Sequence, residues 1–220
     1  SYYELLNLIS SFCQRIGADV LFEGIETFDQ LFNCVRSGGR YYQGFVFSQA
    51  LPHFEYDNGI CDILRLAAME YKNAEIKSML AKNSICSHLD HIISRYLKKF
   101  PFRLERNFID QYLLDLSREL PQSCIKLFMC DYKGWQVSSN IEKTSAGTFK
   151  GIKRYNKSNW SWRSYVLHTA VEIRKSSQGL ITEPYRDIVT KEKIYTYSFP
   201  IDQDHILFID VLCHEDGSGN

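Results

Sequence analysis

Apolar residues recur every three or four positions from Tyr2 to Ile16, at Leu5, Leu6, Ile9, Phe12, Cys13 and Ile16. That spacing puts them on one side of a helix, and Gly17 is placed to end it. The pattern then changes. Asp19 to Phe22 closes on an unbroken apolar run, as expected of a strand buried on both faces. Gly24 permits a sharp turn. Thr27 can cap a helix from Phe28 to about Ser37, with Asp29 in its first turn. Tyr41 to Phe47 reads as another strand. Helix, strand, helix, strand is the order of a β/α repeat, entered in mid-pattern, as in a fragment of a longer protein.

Helical spacing returns after Asp57, with Ile60, Ile63, Leu64 and Ala67, then Ile76, Met79 and Leu80, then Ile85, Leu89, Ile92, Ile93, Tyr96 and Leu97. Asn83-Ser84 is either a cap between two helices or a polar turn of one long helix. Pro101 ends the run. A further amphipathic helix carries Phe108, Ile109, Tyr112, Leu113 and Leu116 and closes at Pro121.

From Gln122 the pattern is one of short strands. Ile125 to Cys130, a turn at Tyr132-Lys133-Gly134 and a return over Trp135 to Ser138 read as a hairpin. Gly147 to Gly151 adds a short piece. Ser161 to Arg174 has helical spacing. Gly179 to Thr182, Ile194 to Pro200 and His205 to Leu212 complete an antiparallel sheet, with a turn at Asp202-Gln203-Asp204. Strands around a helix suggest a PAS-like α+β fold.

Composition narrows the function classes. The 220 residues carry 26 basic and 26 acidic side chains, so no charge excess favours nucleic acid or a membrane surface. No apolar run approaches the roughly 20 residues of a membrane span. Seven scattered cysteines, an odd number without a C-x-x-C pair, read as reduced residues of a cytoplasmic protein. His88 and His91 share a helix face but lack a third ligand nearby. The cations Arg95, Lys98, Lys99, Arg103 and Arg106 read as a solvated face.

Glu23 stands where the first strand gives way to a loop, the end at which parallel α/β folds place their chemistry. Glu23-Gly24-Ile25-Glu26-Thr27, a helix, Gly38 and Gln43-Gly44-Phe45 together resemble the tail of an EAL domain, a family that hydrolyses cyclic di-GMP on a (β/α)8 barrel. The resemblance covers Ser1 to Pro52. It departs at Arg40, where the family usually has Asp, and at Ala50, where it often has Pro. It implies that Glu23 lies at the catalytic centre, that Gln43 lies at the substrate site and that Glu26 anchors the loop. It also implies Mg²⁺ or Mn²⁺ in the intact parent, because metal-assisted attack of water on a phosphodiester requires clustered carboxylates. The family's remaining signatures are not in this sequence, so the chain alone is expected to be inactive and to bind no metal. An incomplete barrel leaves an apolar strand edge, which implies self-association to a dimer or larger.

A second resemblance lies downstream. Asp131 to Asn140, Asn159 to Tyr165, Glu183 to Asp187, Thr196 to Ile201 and Asp210-Val211 are similar, in order, to segments of Cache sensor domains. It implies a small-metabolite pocket in which Arg163 forks onto a carboxylate, Asp187 or Asp210 takes an ammonium, and Trp162, Tyr165 and Tyr185 form walls. The same residues also suit a packed core with an internal Arg163–Asp187 pair. The whole arrangement is similar to EAL proteins of the YkuI type, in which a PAS-like domain follows the barrel.

The expected fold class is therefore α/β plus α+β. Residues 1–54 would be the last β/α units of an EAL barrel and 55–121 a helical connector. Residues 122–214 would be a PAS-like/Cache antiparallel sheet with flanking helices, and 215–220 a tail. Two functions fit: the C-terminal part of a cyclic di-GMP phosphodiesterase with a regulatory sensor, or that of a degenerate EAL receptor that binds without hydrolysis.

Overall fold

The segment around Thr27 folds as its residues dictate. In the computed structural model, Thr27 is extended and its Oγ1 accepts the Gln30 N–H at 3.2 Å, while Gln30 Oε1 accepts the Glu26 and Thr27 N–H groups at 2.7 and 3.2 Å. This reciprocal capping box satisfies donors that a helix start leaves open. The residues described are 2–49, 52–53, 58–102, 108–163, 166, 169–173 and 178–213. They fall into two compact units, 1–81 and 82–220.

The first unit runs α1 (Tyr2–Arg15), β1 (Leu21–Phe22), α2 (Phe28–Arg36), β2 (Tyr41–Tyr42) and the first part of α3 (Asn58–Lys99). β1 and β2 pair in parallel, Leu21 with Tyr41 and Phe22 with Tyr42. Leu6, Phe22, Ile25, Leu31, Cys34 and Ala67 form the core. The strand expected over Tyr41 to Phe47 stops at Tyr42. Beyond it the chain turns over Ile25, whose N–H donates to Gln43 O at 3.1 Å and whose carbonyl accepts the Val46 N–H at 2.9 Å. A Cβ on Gly44 would stand 2.1 Å from the Ile25 carbonyl oxygen, so only glycine fits there. The apolar stripe of α1 is mostly exposed: Leu6 is buried, but Leu5, Ile9, Phe12 and Ile16 are not.

The long helix is continuous through Asn83-Ser84, which decides between the two readings of that dipeptide. Its C-terminal part belongs to the second unit with α4 (Ile109–Ser117), β3 (Cys124–Asp131), β4 (Asn140–Lys143), β5 (Phe149–Ile152), β6 (Leu180–Ile181), β7 (Tyr185–Arg186), β8 (Lys193–Pro200) and β9 (His205–Leu212). These strands form one sheet in the order β5-β4-β3-β9-β8-β6, with β7 also on β8 and every pairing antiparallel.

Alternation along the central strands divides the sheet's two faces. Leu127 and Met129 of β3 and Leu207, Ile209 and Val211 of β9 pack with Leu89, Ile93, Tyr112, Leu113 and Leu116 of the helices. Phe128, Cys130, Ile206 and Phe208 face the other way, onto Val166, Ala170 and Ile173. Those last three lie on α5, helical at 166 and 169–173. Ser161 to Arg163 form a turn before it, so the helix does not begin at Ser161. The hairpin also returns later than expected. Trp135 and Gln136 make only isolated bridges, to Asn159 and Cys130, and the paired strand is Asn140–Lys143.

None of the seven cysteines is in a disulfide, and Cys34, Cys124 and Cys130 are buried. Burial pushes the Cys124 thiol up to about 12, with Lys143 opposing. Among the described residues, no helix is long and apolar enough to cross a membrane.

Candidate functional site

Two groups of chemistry-bearing residues emerge, one in each unit. In the first, parallel pairing brings Glu23 and Gln43 just past the ends of adjacent strands. The Gln43 N–H donates to Phe22 O at 2.8 Å, so the two residues leave the sheet at the same level. Both are exposed, as is Glu26. Gly24, at φ +72°, makes the turn after Glu23 with open space around it, so conformation rather than crowding calls for glycine. Arg40 forms an ion pair with Asp19 at 2.9 Å on the surface. Among the described residues, no three His, Cys, Asp or Glu side chains converge as a metal site. Glu23 is a single carboxylate, and among the described residues no further donors join it to make a divalent-cation site.

In the second unit, the sheet face beside α5 walls a cavity of about 410 Å³. Trp162, Arg163, Asp187 and Asp210 all line it. Tyr165 lies outside the described residues. Tyr185 acts one step back: its hydroxyl lies 2.6 Å from Thr196 Oγ1, which donates to Asp210 Oδ1 at 2.8 Å. The Thr196 hydrogen is committed to the carboxylate, so Tyr185 is the donor in that pair.

Lys126, hidden within the apolar run of β3, is the largest departure from expectation. Its ammonium donates to Asp210 Oδ2 at 2.8 Å and stands 3.6 Å from Asp187 Oδ2. The ammonium between the two aspartates is thus the protein's own. Asp187 also accepts the Val189 and Thr190 N–H groups, at 2.8 and 2.9 Å, in a tight turn at the cavity's edge. Burial alone would raise its carboxyl. The Thr190 N–H, the Lys126 charge, the Val189 N–H and Arg163 outweigh that and hold it below the usual carboxylate range. Burial likewise works against the Lys126 ammonium, but Asp210, Asp187 and Glu142 reverse the effect and raise it.

The opposite wall is a chain of side-chain amides. Trp160 Nε1 donates to Gln136 Oε1 at 2.7 Å, Gln136 Nε2 to Asn140 Oδ1 at 2.8 Å, and Asn140 Nδ2 to Glu142 Oε1 at 3.0 Å. The Arg163 guanidinium lies 5.0 Å from the Trp160 ring and 5.2 Å from that of Trp162. Stacking of this kind fixes the plane of a guanidinium. Gln136, Asn140, Trp160 and Lys126 were not anticipated as pocket residues. A lone lysine in β3 and a lone aspartate at its register partner in β9 were the available signal.

A larger hollow, about 680 Å³, lies at the corner of α3 and α4. It contains none of the expected residues, and it lacks the buried charges that converge beside α5.

Comparison with known proteins places these features in a family. Residues 56–215 match the family described as the EAL-domain associated signalling protein domain, and the chain belongs to it. It is also 30% identical over 223 aligned residues, 99% of its length, to the EAL-domain containing protein YkuI of Bacillus subtilis. The crystal structure of that protein, with an EAL domain, in complex with substrate c-di-GMP and calcium, superposes with a TM-score of 0.88 at 28% identity, covering 98% of this chain and 54% of that one. The chain therefore spans about half the length of these relatives. The ligand-binding domain of the Campylobacter jejuni chemoreceptor Tlp3 in complex with L-valine is a far looser match, with a TM-score of 0.38 at 17% identity over 63% of this chain and 54% of that one.

Proposed function

We propose that this chain is the C-terminal part of a cytoplasmic cyclic di-GMP signalling protein, in which the second unit senses a small ligand and regulates an EAL phosphodiesterase. The observation that best supports this is the correspondence, over 98% of the chain, with the structure of an EAL protein that holds c-di-GMP. In this reading residues 1–54 complete an EAL barrel. Glu23 serves its catalytic centre, Gln43 contacts the dinucleotide and Glu26 anchors the loop between them. The other carboxylates needed to hold Mg²⁺ or Mn²⁺ come from the EAL half that the relatives carry, and this chain alone is not catalytic.

The sensor reading rests on the cavity beside α5. Its floor is charged and buried, one wall is aromatic, and Arg163 is oriented by two indoles. A built arrangement of this kind suits a small polar metabolite, with Arg163 on a ligand carboxylate. Asp187 and Asp210 act through Lys126, which stands between them, rather than by taking a ligand's ammonium alone. The test is a thermal-shift screen of small carboxylates, followed by turnover assays with any that bind. A ligand that raises the melting temperature, loses that effect in Arg163→Ala and changes the rate of cyclic di-GMP hydrolysis is the expected result. A panel without any shift would overturn the sensing role.

A further inference from the structure

The two-residue period of β3 puts Lys126 on the same face of the sheet as Phe128, and both line the cavity beside α5. Register sets Glu142 of β4 and Asp210 of β9 on either side of Lys126. Asp187 joins them from the turn after β7. Both oxygens of each aspartate are engaged. Asp210 Oδ1 accepts from Thr196 and Oδ2 from Lys126. Asp187 Oδ1 accepts the Val189 and Thr190 N–H groups, and its Oδ2 faces the ammonium at 3.6 Å. Glu142 accepts from Asn140 through Oε1, and its charge acts on the same lysine.

An amine entering the cavity therefore meets carboxylates already held by one ammonium. To reach Asp187 or Asp210 it would stand beside Lys126, in a cluster whose side chains are only 4% to 17% exposed, where like charges repel with little screening. An oxygen meets the opposite field. An ammonium has three N–H donors. One goes to Asp210, and the 3.6 Å to Asp187 is an ion pair rather than a hydrogen bond, so Lys126 can still donate to a ligand's carbonyl or hydroxyl oxygen. Arg163 gives a second fixed point. It is held against two indoles and, like Lys126, acts electrostatically on Asp187, so both cations stand near one carboxylate. Phe128, Ile152 and Trp160 supply apolar wall. We propose that the cavity takes a carboxylic acid with a keto or hydroxyl oxygen beside the carboxylate and a branched or aromatic side chain, and that it rejects the corresponding amino acid. The carboxylate lies on Arg163 and the adjacent oxygen on Lys126. This rests on the sensing role proposed above and names the ligand class for it.

Calorimetric titration of the whole chain at neutral pH tests it, with two matched sets of probes: phenylpyruvate, phenyllactate and phenylalanine, then ketoisocaproate, hydroxyisocaproate and leucine. The expected result is that each keto and hydroxy acid binds at least about 10-fold more tightly than its amino acid. Lys126→Met keeps the apolar stem and vacates the position of the ammonium. Phenylalanine and leucine should gain affinity there by supplying the missing cation, and the keto acids should lose it. Lys126→Met with Asp210→Asn removes the stranded charge, guards against a single variant that does not fold, and should also lose the preference. An amino acid that binds the unaltered chain as tightly as its keto acid would overturn the proposal and leave the sensing role standing. So would a panel in which other small carboxylates bind but the keto and hydroxy acids do not, or a preference that survives in the Lys126 variants that fold. A panel in which no small carboxylate binds would overturn the sensing role itself, and the proposal with it.

Discussion

Replacing Lys126 with methionine probes the cavity floor most sharply. The side chain is 17% exposed, and its partners Asp187 and Asp210 are 6% and 4% exposed, so solvent screens the cluster little. Methionine preserves the length and apolar stem but removes the cation. Two carboxylates then face each other across a largely dry site, with neutral donors on each, Thr196 Oγ1 for Asp210 and the Val189 and Thr190 N–H groups for Asp187, and the Arg163 charge still acting on Asp187. Removing one member of a buried ion pair costs about 3–5 kcal/mol. The second carboxylate puts this site toward the upper part of that range, and the neutral donors pull it back. Urea denaturation followed by the tryptophan signal should therefore show a loss of about 3–4 kcal/mol. Adding Asp210→Asn removes the stranded charge and should restore at least half of it. A loss below about 1 kcal/mol in the single variant, or a larger loss in the double, would refute the reasoning, since an exposed pair behaves that way.

Four further outcomes follow from the same geometry. The Asp187 carboxyl is held below its unfolded value, so its contribution to stability is present above about pH 4 and lost as the pH falls through the depressed folded value; Lys126→Met removes one cause of that depression, so its stability deficit, measured by urea denaturation, should narrow as the pH is lowered. Tyr197→Phe leaves Asp90 Oδ1 without the hydroxyl that donates to it at 2.6 Å, with only the Gly179 N–H at 2.9 Å remaining, and should cost about 1.5–3 kcal/mol by chemical denaturation. Thr27→Ala breaks the capping box and should cost the first unit about 1 kcal/mol, seen as faster hydrogen exchange at the start of α2. Gly44→Ala puts a Cβ into the Ile25 backbone and should cost more than the roughly 1 kcal/mol of an average point substitution, with proteolysis of residues 23–47 as the readout.

Several elements were legible because one local signal dominated each. Thr27 reads as a helix cap, and α2 starts at Phe28. His205 to Leu212 is an unbroken β-rich run and forms β9 with those boundaries. Other parts depended on contacts that periodicity does not carry. The strand after Tyr41 was overextended because apolar residues at Phe45 to Phe47 read alike in a strand or a turn, and the close approach of Gly44 to Ile25 decides for the turn. The stripe on α1 predicted a buried face, but Leu6 alone among its apolar residues is buried. In the cavity, the aromatic and charged residues of the 159–163 and 183–187 segments stood out, whereas Lys126 looked like an interruption of β3. Only its cross-strand register with Asp210 gives it meaning.

The long-range hydrogen bonds of α3 matter to the proposed sensing role. Asp90 accepts from both Tyr197 of β8 and the Gly179 N–H, and Lys82 pairs with Glu183 ahead of β7. A Cβ on Gly179 would collide with both Tyr197 Oη and Asp90 Oδ1, so this junction is tightly packed. In that role, a ligand that shifts the segment from 179 to 190 would act directly on the helix through these packed contacts.

The most direct test of the account is cyclic di-GMP turnover, with Mg²⁺, by a protein that joins this chain to the EAL half its relatives carry, measured alongside equilibrium binding. The account predicts turnover that is lost in Glu23→Gln while the protein stays folded. Binding without turnover would favour the degenerate receptor and contradict the phosphodiesterase reading, and the absence of both would contradict the cyclic di-GMP assignment itself.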